Sequence, residues 1–308
     1  MRGDERKGLF IGELARGCQL CFPGAKAVIF VTGTCDDACF YCPVSRERLY
    51  RDVMWVNEEP VSSLEELVIE VQRMGARGAS ITGGDPLTAL DRVVGVLMAL
   101  KENLGEDFHV HLYTTGRQAT HEALRALRRA GLDEIRFHPT SPAFVKAVGR
   151  AREVGLQAGV EIPIAPRMEE WAKGIIERAM KLGASFVNLN EMEIAEPNAR
   201  ALLARGYRES RRRPFVVEGA YEAALRVLEW AQEKGYPVHF CPASFKDSVQ
   251  TRNRFRRLAE LDRRWYEEPT PEGTLRWTEE IGGKRVVVEA HPTRERTRVE
   301  LGEEPPYD

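Results

Sequence analysis

From Ala27 to Glu191 the chain alternates short runs rich in β-branched and aromatic residues with longer amphipathic stretches, and no other feature restricts its fold as strongly. The β-rich runs are 27–33, 79–84, 108–116, 134–139, 157–163 and 185–191. The stretches 62–78, 87–105, 120–131, 142–155 and 169–183 have helical periodicity and each closes on glycine, which accepts left-handed backbone past a helix end without a Cβ clash. Ser63 and Glu66 stand at capping-box spacing before the first of them. Six βα units in succession imply an α/β fold with a parallel sheet and right-handed crossovers, either barrel-like or open and doubly wound. Each expected strand finishes on a polar residue or glycine: Thr32, Gly83, Thr114, His138, Glu161 and Asn188. In a barrel, such ends converge on one mouth.

Beyond residue 191 the pattern changes. The polar stretch 191–214 reads as a loop and helix, 221–235 as a helix, 236–242 as a seventh short strand and 244–268 as one long basic helix. The stretch 274–290 reads as a hairpin turning at Gly282 and Gly283, followed by an acidic tail with the composition of a disordered segment. The expected division is an N-terminal extension (1–26), a core (27–191), a helical and basic extension (192–268), and a hairpin with its tail (269–308).

A net charge of −2 supplies no global field to draw in nucleic acid. The sequence contains no run of about 18 uncharged apolar residues, so a membrane span is not expected. The opening MRGDERKGLF has no apolar signal-peptide stretch, and a cytoplasmic location is the expectation. In that reducing compartment clustered cysteines are read first as metal ligands, not disulfides.

Three of the six cysteines, Cys35, Cys39 and Cys42, fall within the twelve residues TGTCDDACFYCP directly after the first expected strand. Offsets of four and seven could stripe one buried helix face, but Asp36, Asp37 and the flanking Gly33 and Pro43 oppose a regular helix. Structural zinc wants four protein ligands. A cubane iron–sulfur cluster on three thiolates leaves one iron open for an exogenous ligand.

This segment resembles the signature of the radical S-adenosylmethionine superfamily, with Tyr41 as its aromatic before the last cysteine. ITGGDPL (81–87) is similar to that family's glycine-glycine-acid motif. The resemblance covers roughly residues 27–191 and implies a partial (β/α)6 TIM-like barrel with N- and C-terminal extensions. Closest in overall character is an uncharacterised archaeal-type group related to pyruvate formate-lyase activating enzymes. The resemblance further implies a [4Fe–4S] cluster on Cys35, Cys39 and Cys42 whose open iron chelates S-adenosylmethionine. Reductive cleavage would give a 5′-deoxyadenosyl radical that abstracts hydrogen from a substrate. Gly83 and Gly84 would let the backbone approach the methionine amino group, and Asp85 would accept from that ammonium. Tyr41 is expected near adenine, and Thr114 and Thr115 near the methionine carboxylate or ribose. His138 and Glu161 are expected near ribose or substrate, and Asn188 and Asn190 near adenine. For each, ordinary strand-end polarity is the competing reading.

Cys18, Cys21 and Cys241 remain. They allow a second iron–sulfur cluster, as in the superfamily's molybdenum-cofactor and wyosine branches, a zinc site completed by His239, or unliganded buried thiols. His239 and Cys241 would share one face of a strand. In the basic stretch 250–264, Arg254 and Arg257 are candidate anion-binding residues, against a solvated face paired with nearby acids. The substrate is RNA, a protein or peptide, or a small metabolite, and the electron donor a low-potential ferredoxin or flavodoxin. A non-catalytic zinc protein that binds RNA or a protein partner is the alternative.

Overall fold

A strand buried on both faces can be apolar toward the helices that cover it and polar toward a barrel interior, which is what the β-rich runs provide. The computed structural model describes residues 1–4 and 8–303. Two short strands, β1 (Arg2–Asp4) and β2 (Gly8–Phe10), precede α1 (Arg16–Cys21) and β3 (Lys26–Phe30). The hairpin β4 (Met54–Val56) and β5 (Glu59–Val61) leads into α2 (Leu64–Arg73) and β6 (Gly78–Thr82). The alternation continues through α3 (Leu90–Leu104), β7 (His109–Thr114), α4 (His121–Arg129), β8 (Glu134–Phe137), α5 (Ala147–Glu153), β9 (Gln157–Ile164), α6 (Glu169–Lys181) and β10 (Val187–Glu191). Then come α7 (Glu196–Ala204), α8 (Ala220–Lys234), β11 (Val238–Cys241), a single turn α9 (Ala243–Phe245) and α10 (Arg252–Asp262). A separate sheet holds β12 (Glu268–Pro269), β13 (Leu275–Ile281), β14 (Lys284–Ala290) and β15 (Arg298–Glu303).

The main sheet runs β1-β2-β11-β10-β9-β8-β7-β6-β3-β4-β5. Its central seven strands, β11 through β3, pair in parallel, and the flanking strands pair antiparallel. The sheet's two ends do not pair with each other, so the expected partial barrel is what forms. All six expected core strands and the seventh are present, and the sheet continues past residues 27 and 191 on both sides. The apolar core lies between the sheet and its covering helices, with Ile29, Ile81, Leu112, Ile135, Val160 and Leu189 fully buried.

Nothing in the sequence pattern announces α1, yet it packs into the barrel. A Cβ on Gly17 would stand 2.5 Å from the His111 ring and 2.7 Å from Arg136 Nη2. Ser63 caps α2 by accepting from the Glu66 amide at 3.1 Å, but Glu66 turns its carboxylate to the amide (2.7 Å) and hydroxyl (3.0 Å) of Ser62. The capping box therefore forms with its second half displaced by one residue.

Three expectations need correction. The stretch 244–268 is not one helix: a π-helical turn, Lys246–Thr251, separates α9 from α10, which ends at Asp262. Its arginines are not an open anion site either. Arg254 is 7% exposed and pairs with Glu58, and Arg257 donates to the Gly75 carbonyl at 2.5 Å. These bonds join α10 to the β4–β5 turn and the end of α2, so the charge is spent inside the fold. The acidic tail is also ordered in part, because β15 pairs with β14; residues 304–308 lie outside the described residues. The hairpin turns where expected, with positive φ at Gly282 (61°) and Gly283 (78°), the backbone that a two-residue turn between twisted strands demands. No helix among the described residues is long and apolar enough to cross a membrane.

Candidate active site

The loop after β3 is held tightly before it reaches its cysteines. Gly33 exchanges backbone hydrogen bonds with Arg51 and Tyr50, both at 2.8 Å, and a Cβ there would fall 1.6 Å from the Arg48 carbonyl oxygen. Only glycine allows that approach. Asp36 accepts from Gln118 Nε2 at 2.7 Å. Asp37 accepts from Arg117 Nη2 at 2.5 Å and from the Thr140 hydroxyl at 3.0 Å. The two acidic residues thus lash the cysteine loop to the C-terminal ends of β7 and β8. The Asp37 amide donates to Cys35 Sγ at 3.4 Å, and the Cys42 amide to the Cys39 carbonyl at 3.1 Å.

Cys35, Cys39 and Cys42 open into an outer chamber of about 520 Å³ at the C-terminal ends of the strands. Tyr41, Gly83, Gly84, Thr114, Thr115, His138, Glu161 and Asn190 line the same chamber. The glycines play a different part from the one expected of them. A Cβ on Gly83 would meet the Thr32 carbonyl oxygen at 2.3 Å, and one on Gly84 the Thr34 carbonyl oxygen at 2.3 Å. Their missing side chains admit the cysteine loop, not open space. Asp85 also departs from expectation. It is 3% exposed and accepts from the Thr114 hydroxyl (2.8 Å), the Thr115 hydroxyl (2.5 Å), the Thr115 amide (3.2 Å) and the Leu87 amide (3.1 Å). A carboxylate so saturated positions the threonines and has no lone pair to spare for a ligand's ammonium.

His138 is committed as well. One ring nitrogen lies 2.9 Å from the Glu161 carbonyl oxygen, which fixes a proton there, and the other accepts from the Tyr41 hydroxyl at 2.9 Å. Burial lowers its pKa, in keeping with a neutral ring. Glu161 accepts from Arg136 Nη1 and Asn188 Nδ2, both at 2.9 Å, and from Asn190 Nδ2 at 2.8 Å. Burial alone would raise its pKa, but the Arg136 guanidinium and the two amides hold it down at about 2.

Behind this wall lies an inner chamber of about 340 Å³ within the barrel. Cys18, Cys21, Cys241, His239 and Asn188 line it, together with Lys26 and Arg136. Thr82, Tyr113, Glu161, Asn190 and Lys246 line both chambers. Sequence reasoning brought His239 and the three thiols together but missed Lys26, Tyr113, Arg136 and Lys246. A signal existed for Arg136: Glu134 and Arg136 are charged residues two apart on a central strand, and period two places both on the interior face.

Burial pushes the Cys39 thiol up to about 11 and raises that of Cys35, so occupancy by a metal would release protons. Among the described residues no three or more His, Cys, Asp or Glu side chains converge as the ligands of a single ion do. A cubane makes no such demand, since each thiolate takes its own iron. Three free thiols on one chamber wall fit that group.

An open α/β barrel with a three-thiol loop at its mouth defines a class of metal-dependent enzyme, and comparison with known proteins specifies it. Residues 29–183 match the Radical SAM superfamily. The chain is 36% identical over 274 residues to a protein of Methanocaldococcus jannaschii named as a candidate glycyl-radical enzyme activating enzyme, covering 85% of this chain and 72% of that one. It is 26% identical over 217 residues to the GTP 3′,8-cyclase of Paenarthrobacter nicotinovorans, covering 68% of this chain and 48% of that one. Among solved structures, Streptococcus suis SuiB bound to its precursor peptide SuiA superposes with a TM-score of 0.53 at 12% identity, over 82% of this chain and 58% of SuiB. That likeness concerns the fold alone. The chain belongs to the radical SAM superfamily, an enzyme family that implies a [4Fe–4S] cluster and S-adenosylmethionine.

Proposed function

We propose that the outer chamber binds S-adenosylmethionine against a [4Fe–4S] cluster on Cys35, Cys39 and Cys42, and that the enzyme removes a hydrogen atom from a protein or peptide, most specifically a backbone glycine. The observation that carries this is the opening of all three thiols into the chamber lined by Gly83, Gly84, Thr114 and Thr115. When bound, the cluster and its ligand supply an electron and a 5′-deoxyadenosyl radical. The chain's own residues orient and enclose. Tyr41, fixed by His138, forms the wall beside adenine. Asp85 holds Thr114 and Thr115 in place from behind. Glu161 and Asn190 form the far wall, where an ionised carboxylate suits ribose hydroxyls. Tyr50, 62% exposed at the mouth, gives an incoming chain an apolar rim.

The name carried by the Methanocaldococcus relative supports a protein substrate. Against RNA, the arginines that suggested it are engaged in internal pairs. A ferredoxin or flavodoxin supplies the electron. Cys18, Cys21 and Cys241 belong to a second metal centre, either an iron–sulfur cluster or, with His239, zinc.

The test is anaerobic turnover. Reduced protein given S-adenosylmethionine should release 5′-deoxyadenosine, and Cys39→Ala should abolish it. Adding a glycyl-radical enzyme from the same genome should produce a glycyl radical signal by electron paramagnetic resonance. A colourless, zinc-containing protein that releases no 5′-deoxyadenosine would return the assignment to a non-catalytic zinc protein.

A further inference from the structure

The inner chamber is built differently from a pocket that happens to contain cysteines. Buried free thiols ordinarily behave as small hydrophobes among apolar neighbours. Cys18 and Cys21, 5% and 9% exposed, line the chamber together with charged and amide groups, although Cys18 also packs on Ala15 and Phe186. Asn188 Nδ2 donates to Cys18 Sγ at 3.4 Å. Lys26, also buried, lines the same chamber as Cys21. Cys241 ends β11 and lines the same chamber as the other two thiols. Lys26 is 6% exposed and Arg136 1%, so two cations are buried with the three thiols, Arg136 being paired with Glu134 and Glu161. Burial raises the pKa of the Cys18 and Cys241 thiols, so a metal bound there would displace their protons.

We propose that Cys18, Cys21 and Cys241 hold a second iron–sulfur cluster through three thiolates, set inside the barrel. His239 is not the fourth ligand. Its Nδ1 faces Asn188 Oδ1 at 3.3 Å, and its Nε2 is packed so closely on β2 that a Cβ on Gly8 would stand 3.0 Å from it. Tetrahedral zinc needs four protein donors gathered round one point, which these residues do not supply. A cubane accepts three and separates them over three irons. Lys26 stands beside the resulting net negative charge, Arg136 being shared with Glu134 and Glu161, and Asn188 keeps its bond to sulfur. The site also explains α1. Cys18 and Cys21 come from the helix ahead of β3, and Cys241 from the strand at the other flank of the parallel set. A cluster shared between them would tie α1, which lies inside the barrel against β3, β6 and β7, to the end of β11.

The proposal rests on reading the chain as an iron–sulfur enzyme but not on its substrate, and counting iron separates the two. Full-length protein reconstituted anaerobically should carry about eight iron and eight sulfide per chain, and His239→Ala the same. The triple variant Cys35→Ser, Cys39→Ser, Cys42→Ser should keep about four of each, as should Cys18→Ser, Cys21→Ser, Cys241→Ser. Mössbauer spectra of the unsubstituted protein give the count without any variant, should one fail to fold. About four iron in the unsubstituted protein, all of it lost with the Cys35 triple, would overturn the inner cluster. Zinc at one equivalent per chain that disappears in His239→Ala would overturn it too. Iron lost only with the Cys18 triple would uphold the inner cluster and overturn the outer one.

Discussion

Asp85 shows how a residue can be recognised for the wrong task. Its place after two glycines marked it in the sequence, but a motif carries no side-chain direction, and the direction is set by β7. Thr114 and Thr115 end that strand with both hydroxyls turned to the carboxylate. Asp85→Ala therefore leaves buried donors unpaired, and we expect a loss of about 2–4 kcal/mol in chemical unfolding. Affinity for S-adenosylmethionine should fall while the iron content holds; a drop in iron with unchanged affinity would place Asp85 in the cluster loop instead. Glu161 gives a prediction in pH. Its folded-state value of about 2 lies below its ordinary 4.5, so the stability it contributes is full above the ordinary value and is lost as pH falls through about 2. Urea unfolding should show Glu161→Gln well below the parent at pH 6 and closer to it at pH 3. A gap that stays constant between those pH values would mean that packing, not charge, holds this residue.

At the level of elements, periodicity located what repeats and missed what occurs once. The βα units are legible because each strand must be apolar toward its helices and each helix must present a stripe, so spacing alone betrays them. Residues 2–4, 8–10 and 16–21 carry no such period, yet they become strands and a helix because β11 offers an edge and the barrel a cavity. The helical pattern of 244–268 was visible, but the fate of its arginines was not, since their partners lie about 190 residues away in Glu58 and Gly75. The Arg254–Glu58 pair is lopsided, with side chains 8% and 41% exposed. Removing the carboxylate strands a buried cation, whereas removing the cation leaves a carboxylate that water can reach. Glu58→Ala should accordingly cost about 3 kcal/mol and Arg254→Met about 1 kcal/mol. Salt-dependent tRNA binding should be the same in both as in the parent. The reverse order of stabilities, or tRNA affinity lost in Arg254→Met, would restore the anion-binding reading.

Across the molecule, the two chambers and the C-terminal sheet draw on separate parts of the chain. Both chambers are lined by residues no later than Gln250, whereas β12–β15 begin at Glu268. The second sheet meets the first through charge. Arg73 on α2 reaches Glu70 at 3.0 Å, Asp262 at 2.8 Å and the Pro292 carbonyl at 2.9 Å. Arg294 returns to Glu70 at 2.6 Å and donates its amide to Glu59 at 2.7 Å. Arg296 pairs with Glu267 at 2.9 Å and Asp262 at 3.3 Å. Glu70 and Glu267 are 6% and 1% exposed, so this network is shielded from solvent and depends on every member. A chain ending at residue 266 would leave Arg73 and Glu70 without the partners that Arg294 and Pro292 supply, while keeping every chamber residue. Its melting temperature by circular dichroism should fall by several degrees, on the order of 2–4 °C for each kcal/mol lost in a protein of this size. Iron content and 5′-deoxyadenosine release, measured below the melting range, should stay at the full-length level. Loss of iron at a temperature where the truncated chain is still folded would show that the second sheet shapes the chambers as well as bracing α2.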